Sequence, residues 1–317
     1  MLTVICGGFG AARFLTGLRE VVDSPLCCVV NTADDLEYAG LHVCPDLDSV
    51  LYALVGTSDE QRGFGRRGDT FRCSGELARY GAGWFSVGDE DLALHLERTR
   101  LLHSGMSLSA ATAEVGAAWG LPARLLPMSD EPVRTVVETD EGLLSFADYF
   151  VRRHGAPRVT GVRYDGIDRA APAPGVLDAL READLVLIAP SSPVGSIGPV
   201  LALPGIRESL CGRRGPTVAV TPVVSGREPV TGPERSRARV RAALLAALGL
   251  RHRAAVVAEM YAPWLDGFVL DERDAAEGAE IRVPVLLADT LARPGPARAE
   301  LARAVLEFAP GLGRERR

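Results

Sequence analysis

Leu2-Thr3-Val4-Ile5-Cys6-Gly7-Gly8-Phe9-Gly10-Ala11-Ala12-Arg13 opens the chain and decides how the rest of it is read. The first residues form an apolar run of strand length, and apolar positions then recur at helical spacing through Phe14, Leu15, Leu18 and Val22. The pattern is strand, glycine turn, helix. Glycines let backbone N–H groups close on a bound anion with no Cβ in the way, and the helix N-terminus adds unpaired donors and positive potential. Gly7, Gly8 and Gly10 are therefore candidate phosphate-binding positions. A second strand, Cys27-Cys28-Val29-Val30, runs into Asn31-Thr32-Ala33-Asp34-Asp35. That places two carboxylates at the carboxyl edge of a parallel sheet, where open α/β sheets bind ligands.

Two other kinds of protein share this beginning: nicotinamide-dependent oxidoreductases, and nucleotide-binding regulators that bind without turnover. In the nicotinamide fingerprint a third small residue lets the helix lie close to the strand, and that position falls on Arg13 here. A long cation there is better placed to meet phosphate than to pack a helix. No Gly-Lys-Ser or Gly-Lys-Thr follows, which excludes a Walker-type P-loop. The acids gathered at the sheet edge weigh against a regulator and for catalysis, with Asp34 projecting beside the glycine turn to hold a metal and Arg13 offsetting phosphate charge.

At 317 residues the chain is long enough for one elaborated α/β domain. Its net charge of −6 argues against a broad nucleic-acid-binding surface. The six cysteines, at 6, 27, 28, 44, 73 and 211, form no Cys-x-x-Cys and read as reduced, packed thiols of a cytoplasmic protein. Neither a basic-then-apolar leader nor a membrane-length apolar run is visible, so a soluble protein without a membrane partner is expected. The five histidines make no His-x-x-x-His or Cys/His cluster, which argues against zinc.

Downstream, Pro45-Asp46-Leu47-Asp48 starts a helix whose apolar face is Leu47, Val50, Leu51 and Leu54. One of the two acids is expected to cap it and the other to be available for a metal or a substrate hydroxyl. Residues 56–68 read as a mobile loop, 69–80 as helix, 84–89 as a short strand and turn, and 91–102 and 108–119 as helices. Residues 134–138 and 143–146 alternate as a hairpin, and 157–166 is extended. Residues 56–150 are thus expected to form a helical and hairpin insertion, a second lobe on a single domain spanning 1–317. Leu185–Ile188 is a further core strand that opens into Ala189–Pro199, where Ser191, Ser192 and Pro193 fit a phosphate-wrapping loop and a rigid turn equally well. Strands are expected at 217–222, 254–257, 268–270 and 283–288, helices at 235–248 and 298–308, and a frayed tail at Gly313–Arg317. The alternation predicts a doubly wound, mostly parallel, Rossmann-like α/β sheet with a helical insertion and a small hairpin elaboration.

Taken in order, these motifs resemble one family almost end to end: the 2-phospho-L-lactate transferases and the actinobacterial phosphoenolpyruvate transferases of coenzyme F-420 biosynthesis. The resemblance is carried by Gly7-Gly8-x-Gly10, Asn31 to Asp35, Pro45 to Asp48, Gly88-Asp89-x-Asp91-Leu92-Ala93-x-His95, Leu126 to Asp130, Pro190-Ser191-x-Pro193, Ser196 to Pro199 and Leu265 to Phe268. It implies transfer of a lactyl or enolpyruvyl phosphate unit from a guanosine-diphosphate-activated donor to the deazaflavin Fo, with Mg²⁺ and release of GMP. It also implies Asp34 as a metal-binding acid and Asp48 and Ser86 as Fo-binding residues, which leaves Asp46 as the second acid expected at the metal. Gly7, Gly8, Gly10, Asn31, Ser191, Ser192 and Pro193 would hold the guanosine diphosphate, and a homodimer is implied as well. Ser192 stands where the family usually has Asn, Glu90 where it has Arg, and Leu94 where it has Thr.

Overall fold

The computed structural model describes residues 1–224, 232–291 and 293–312, with backbone only at 232 and 233. β1 (Leu2–Cys6) and β2 (Leu26–Val30) are buried at every position, as strands covered by helices on both faces must be. α1 (Gly8–Val21) joins them. A short hairpin of β3 (Leu36–Tyr38) and β4 (Leu41–Val43) follows, then α2 (Pro45–Val55), α3 (Arg72–Leu77), α4 (Asp89–His103), α5 (Leu108–Ala118) and β5 (Arg124–Pro127). β6 (Arg134–Thr139), β7 (Gly142–Ser145) and β8 (Val159–Asp165) form a separate antiparallel sheet. The remainder is α6 (Val176–Arg181), β9 (Leu185–Ile188), α7 (Gly198–Ala202), α8 (Ile206–Gly212), β10 (Thr217–Val220), α9 (Gly232–Ala247), α10 (Ala254–Tyr261), β11 (Gly267–Asp271), β12 (Val285–Ala288) and α11 (Pro296–Phe308).

The main sheet has seven strands in the order β12-β11-β10-β9-β1-β2-β5, every neighbouring pair parallel. From β1 the chain goes first to β2 on one side and later to β9 on the other, so the order reverses at β1. This is the doubly wound arrangement read from the sequence. The reversal sets the carboxyl ends of β1, β2 and β9 side by side, and a crevice at such a switch point is where these sheets bind ligands. Leu2, Val4 and Cys6 of β1 face one core with Phe14, Leu51 and Leu301, while Ile5 faces the opposite core with Val176, Ile197 and Val257.

Three local expectations differ from the structure. Ala254–Val257 begins α10 and is not a strand, because Ala254, Val257, Ala258 and Tyr261 bury one helical face at three- and four-residue spacing. A short apolar run carries no period of its own to tell helix from strand. Trp84–Val87 is irregular, and its rings pack on Tyr38, with Trp84 edge-on at 5.8 Å. The helix expected from residue 69 starts at Arg72, since the Asp69 carboxylate instead accepts the N–H groups of Glu90 and Asp91 and caps α4. The β3–β4 hairpin was not foreseen.

Residues 56–150 are distributed among three neighbourhoods. Leu94, Leu101, Ala111 and Val115 of α4 and α5 join the cluster under the main sheet, and β5 is that sheet's edge strand. The hairpin β6–β7 pairs with β8, and Val137 and Tyr149 pack on Val240 and Leu244 of α9. The 56–68 loop is tied down by a Ser58–Arg66 bridge and by Glu60, which pairs with Arg298. No helix among the described residues is long and apolar enough to cross a membrane. The tail Gly313–Arg317 lies outside the described residues.

Candidate active site

Three turns meet at the switch point and hold one another by contacts only small residues permit. α1 begins earlier than the sequence pattern implied, at Gly8, with Gly7 as its extended N-cap. Gly8 has φ +67°, the left-handed region that glycine enters without penalty. A Cβ on Gly10 would lie 2.0 Å from the Pro190 carbonyl oxygen, so this glycine is what lets the turns after β1 and β9 touch. The Gly7 N–H donates to Ser191 Oγ at 3.3 Å. Ser192 accepts the Gly195 N–H at 3.0 Å and caps the widened helical turn Pro193–Ile197. The loop is a capped turn that abuts the glycine turn directly.

From the other side Asn31, fully buried, bridges the turns: its Nδ2 donates to Asp46 Oδ2 at 2.9 Å and to the Gly195 carbonyl at 3.4 Å, while its Oδ1 accepts the Ala33 N–H. Asp46 therefore stands in the first turn of α2 with its carboxylate at the start of α1, where a Cβ on Gly7 would collide with it at 2.5 Å. Asp34 completes the group. One of its oxygens, Oδ1, is buried without a hydrogen-bond partner among the described residues.

Burial pushes the Asp34 carboxyl well above the ordinary range, and the charges of Asp46 and Asp35 push it further against the Thr135 hydroxyl and the field of Arg134. Burial likewise raises Asp46 to about 7, with Asp35 and Asp48 adding to the rise and the Asn31 hydrogen bond resisting it. The orphaned Asp34 oxygen and the Asp46 carboxylate, beside a helix N-terminus, make a set of hard oxygen donors. That is the donor type a magnesium ion takes, with waters or phosphate oxygens filling its other positions. Next to Asp34 a cavity of about 250 Å³ opens between the β2 turn and the small sheet, walled by Arg134, Val136, Leu144, Phe146 and Arg163.

Asp35 turns away from this group. Its carboxylate lies 3.4 Å from His42 Nε2, and Nδ1 of the same ring lies 3.0 Å from Glu37. Asp35, His42 and Cys44 bring one ligand atom each within 4.8 Å of the others. The expectation of no Cys/His cluster missed this because His42 and Cys44 are two residues apart at the end of a short strand and so share a side. Between its two acids the imidazole is placed to pair as a cation, while both Asp35 oxygens and His42 Nε2 are buried with no hydrogen-bond partner among the described residues. Burial alone would depress the His42 pKa, but Asp35 and Glu37 outweigh it and raise it. A raised histidine pKa gives stability that is complete below about pH 6.5 and is lost as pH rises through the folded-state value. We therefore expect the melting temperature of His42→Phe to fall below wild type at pH 6, and the gap to close toward pH 9. An equal gap at both pH values would refute the charged pair.

The other sequence-chosen residues fall elsewhere. Arg13 sits 5.4 Å from the Phe9 ring centroid, pairs with Glu234 and donates to the Leu291 carbonyl at 2.7 Å, along the flank of α1. Asp48 is buried in a two-point pair with Arg98 of α4, and His95 Nδ1 is 3.6 Å away. Ser86 is exposed on the segment before α4. Asp130 and Asp266, acids of the family-like motifs, have structural duties: Asp130 binds the start of α5 through Ser109, and Asp266 accepts the Thr217 N–H and pairs with Arg213. Arg98 shares a helical face with His95 and reads from sequence as packing or a surface salt bridge, and it is buried against Asp48; Tyr164, whose hydroxyl donates to the Val194 carbonyl at 2.5 Å, stands in no pattern that marks it.

A parallel α/β sheet that brings a glycine turn, a helix N-terminus and a carboxylate cluster to its switch point has the build of an enzyme that handles phosphorylated ligands. Comparison with known proteins is more specific: the family model described as 2-phospho-L-lactate transferase CofD matches residues 2–283, and the chain belongs to that family. A phosphoenolpyruvate transferase of Streptomyces griseus is 41% identical over 97% of this chain and 98% of its own. The 2-phospho-L-lactate transferase of Methanopyrus kandleri is 40% identical over 98% of each chain. Among solved structures, a UPF0052-family protein of Bacillus halodurans superposes with a TM-score of 0.64, covering 96% of this chain and 98% of that one at 16% identity, a likeness of fold.

Proposed function

We propose that this transferase moves a phospholactyl or phosphoenolpyruvyl unit from a guanosine-diphosphate-activated donor to the deazaflavin Fo, with Mg²⁺, releasing GMP. The observation that carries the reading is the meeting of Asp34 and Asp46 with the Gly7–Gly10 turn at the switch point of a chain of this family. The Fo hydroxyl oxygen bonds to the phosphorus that carries the acid group. The bond from that phosphorus to the bridging oxygen breaks, GMP leaves with the bonding pair, and the hydroxyl proton passes to solvent. A bound Mg²⁺ supplies charge neutralisation on the phosphate oxygens, and Asp34 and Asp46 are the residues to hold it. The chain's own part is positioning. The N–H groups at the start of α1 face the diphosphate, the Ser191–Pro193 turn braces that loop, and the cavity beside Asp34 receives the ring system of Fo.

Two sequence-derived roles take a different form in this reading. Arg13, engaged with Glu234 and Leu291, steadies the flank of α1, and Asp48 fixes α2 against α4 through Arg98. Transferase membership stands in place of the nicotinamide oxidoreductase reading. The donor is not separated by resemblance, since relatives named for either one are equally similar at 40–41% identity. Incubating the protein with Fo, Mg²⁺ and each donor, separately and in competition, and weighing the deazaflavin product is the test. GMP should form with at least one donor, and product mass assigns it. Absence of GMP and of any mass shift with both donors would refute the proposal, and binding of GDP without turnover would favour a regulator. A homodimer, the other implied property, is checked by light scattering of the same preparation.

A further inference from the structure

Beside the glycine turn lies a second group of charges that the reading above does not use. Arg237 and Arg241 are one turn apart on α9, and Leu244 continues the same face into the buried cluster with Val194. Leu244 comes within 3.7 Å of where a Cβ on Gly195 would stand, so this face of α9 looks onto the Ser192–Ile197 turn. The Arg237 guanidinium lies 4.0 Å from the ring centroid of Phe9, the residue between Gly8 and Gly10. Its Nη2 donates to the Gly63 carbonyl at 3.2 Å, and its Nη1 is buried with no acceptor among the described residues. Arg241 Nε meets His252 Nε2 at 3.2 Å, which casts the imidazole as a neutral acceptor and leaves the arginine charge uncompensated there.

Burial pushes both guanidinium groups down to about 10, Arg241 being lowered further by Arg237, and Arg237 by Arg13 against the pull of Glu234. Both remain charged at neutral pH. Two adjacent, partly buried cations, one with a buried N–H group that finds no acceptor among the described residues, are costly unless an anion meets them, and Glu234 is already paired with Arg13. We propose that Arg237 and Arg241 form an anion subsite over the glycine turn that receives the carboxylate of the activated donor. The carboxylate is the anion in question because the phosphates already face the α1 N-terminus and the Asp34–Asp46 pair, whereas a planar guanidinium fork matches a carboxylate in two-point fashion. This subsite deepens the transferase reading and rests on it.

The test compares two probes by calorimetry in Mg²⁺ buffer: GDP, which lacks the carboxylate, and the intact guanosine-diphosphate-linked lactyl donor. Wild type should bind the donor more tightly than GDP. Arg237→Met and Arg241→Met should each weaken the donor about 10- to 100-fold, the scale of a charge-assisted hydrogen-bonded contact, and leave GDP within about threefold. Arg237→Lys should recover part of the loss, and melting temperatures should hold or rise, since a poorly compensated cation has been removed. Equal weakening of GDP and donor would overturn the carboxylate assignment in favour of a phosphate contact. Unchanged donor affinity in both methionine variants would overturn the subsite while leaving the transferase reading intact. Failure of wild type to bind either probe would remove both. A variant that binds neither probe and melts early marks Arg237 as structural through Phe9, and this too overturns the proposal if Arg241→Met, further along α9, keeps full donor affinity.

Discussion

Asp34→Asn should lose turnover by about two orders of magnitude or more, the scale of removing a preorganised electrostatic contact, while the protein stays folded. The asparagine keeps the size of the side chain and some of its hydrogen bonding but not the charge that retains a metal. Its effect on stability should have the opposite sign. Asp34 and Asp46 both hold their protons more tightly in the fold than in the unfolded chain, where a carboxylate titrates near pH 4. Between that pH and the folded-state values, about 7 for Asp46, the native state binds more protons than the unfolded one, so stability falls as pH rises. Metal-free wild type should therefore melt lower at pH 8 than at pH 5.5, Mg²⁺ should restore the difference, and Asp34→Asn should flatten the slope and lose the Mg²⁺ shift. Scanning fluorimetry across pH with and without Mg²⁺, together with GMP release, checks all three. Near wild-type turnover and Mg²⁺ dependence in Asp34→Asn would show that the metal is held elsewhere, with Asp46 and Asp48 the next to substitute.

The frame of this site was legible because it rests on local rules. A buried parallel strand is predominantly apolar, a turn that brushes another backbone must be glycine, and acids after the second strand must emerge at the sheet edge. Leu2–Cys6, Gly10 and Asp34 each follow one of these. What stayed hidden depends on which distant elements meet. Asp46 and Asp48 are equivalent in sequence, two residues apart in the first turn of one helix. Only the approach of Asn31 to one and of Arg98 to the other tells the metal candidate from the ion pair. The same holds for Arg237, whose neighbour Phe9 is more than two hundred residues away in the chain. Arg13, whose place in the glycine pattern suggests a phosphate contact, pairs along the flank of α1 with Glu234, a partner 221 residues away that no local pattern announces. Ala254–Val257 was misread for a simpler reason, since four small apolar residues have no period.

Arg98→Met should be the most destabilising of the substitutions considered, at about 3–5 kcal/mol, because it removes one partner of a buried pair and strands the other. Arg98 is 3% exposed and Asp48 5%, and the pair joins α4 to α2 directly behind Asp46. Burial alone would lower the Arg98 pKa, but Asp48, and after it the fields of Cys44 and Asp35, raise it, so the guanidinium is held as a cation by the Asp48 carboxylate. Methionine fills much of the same volume, which confines the loss to charge and hydrogen bonding. His95 is poorly placed to replace it, since burial depresses its pKa and it carries little charge at neutral pH. The double variant Arg98→Met/Asp48→Leu should recover most of the loss, because a buried pair contributes little net stability over apolar residues of similar volume. Urea unfolding reads both through a change in midpoint at constant slope. A loss under about 1 kcal/mol in the single variant would mean that water reaches Asp48 and that the pair is not what fixes α2. In that case Asp48 is free to meet Fo, and Asp48→Asn would raise the KM for Fo without lowering the urea midpoint. If the pair is structural as argued, Asp48→Asn lowers the midpoint and moves the KM for Fo only in proportion to the fold it loosens around Asp46.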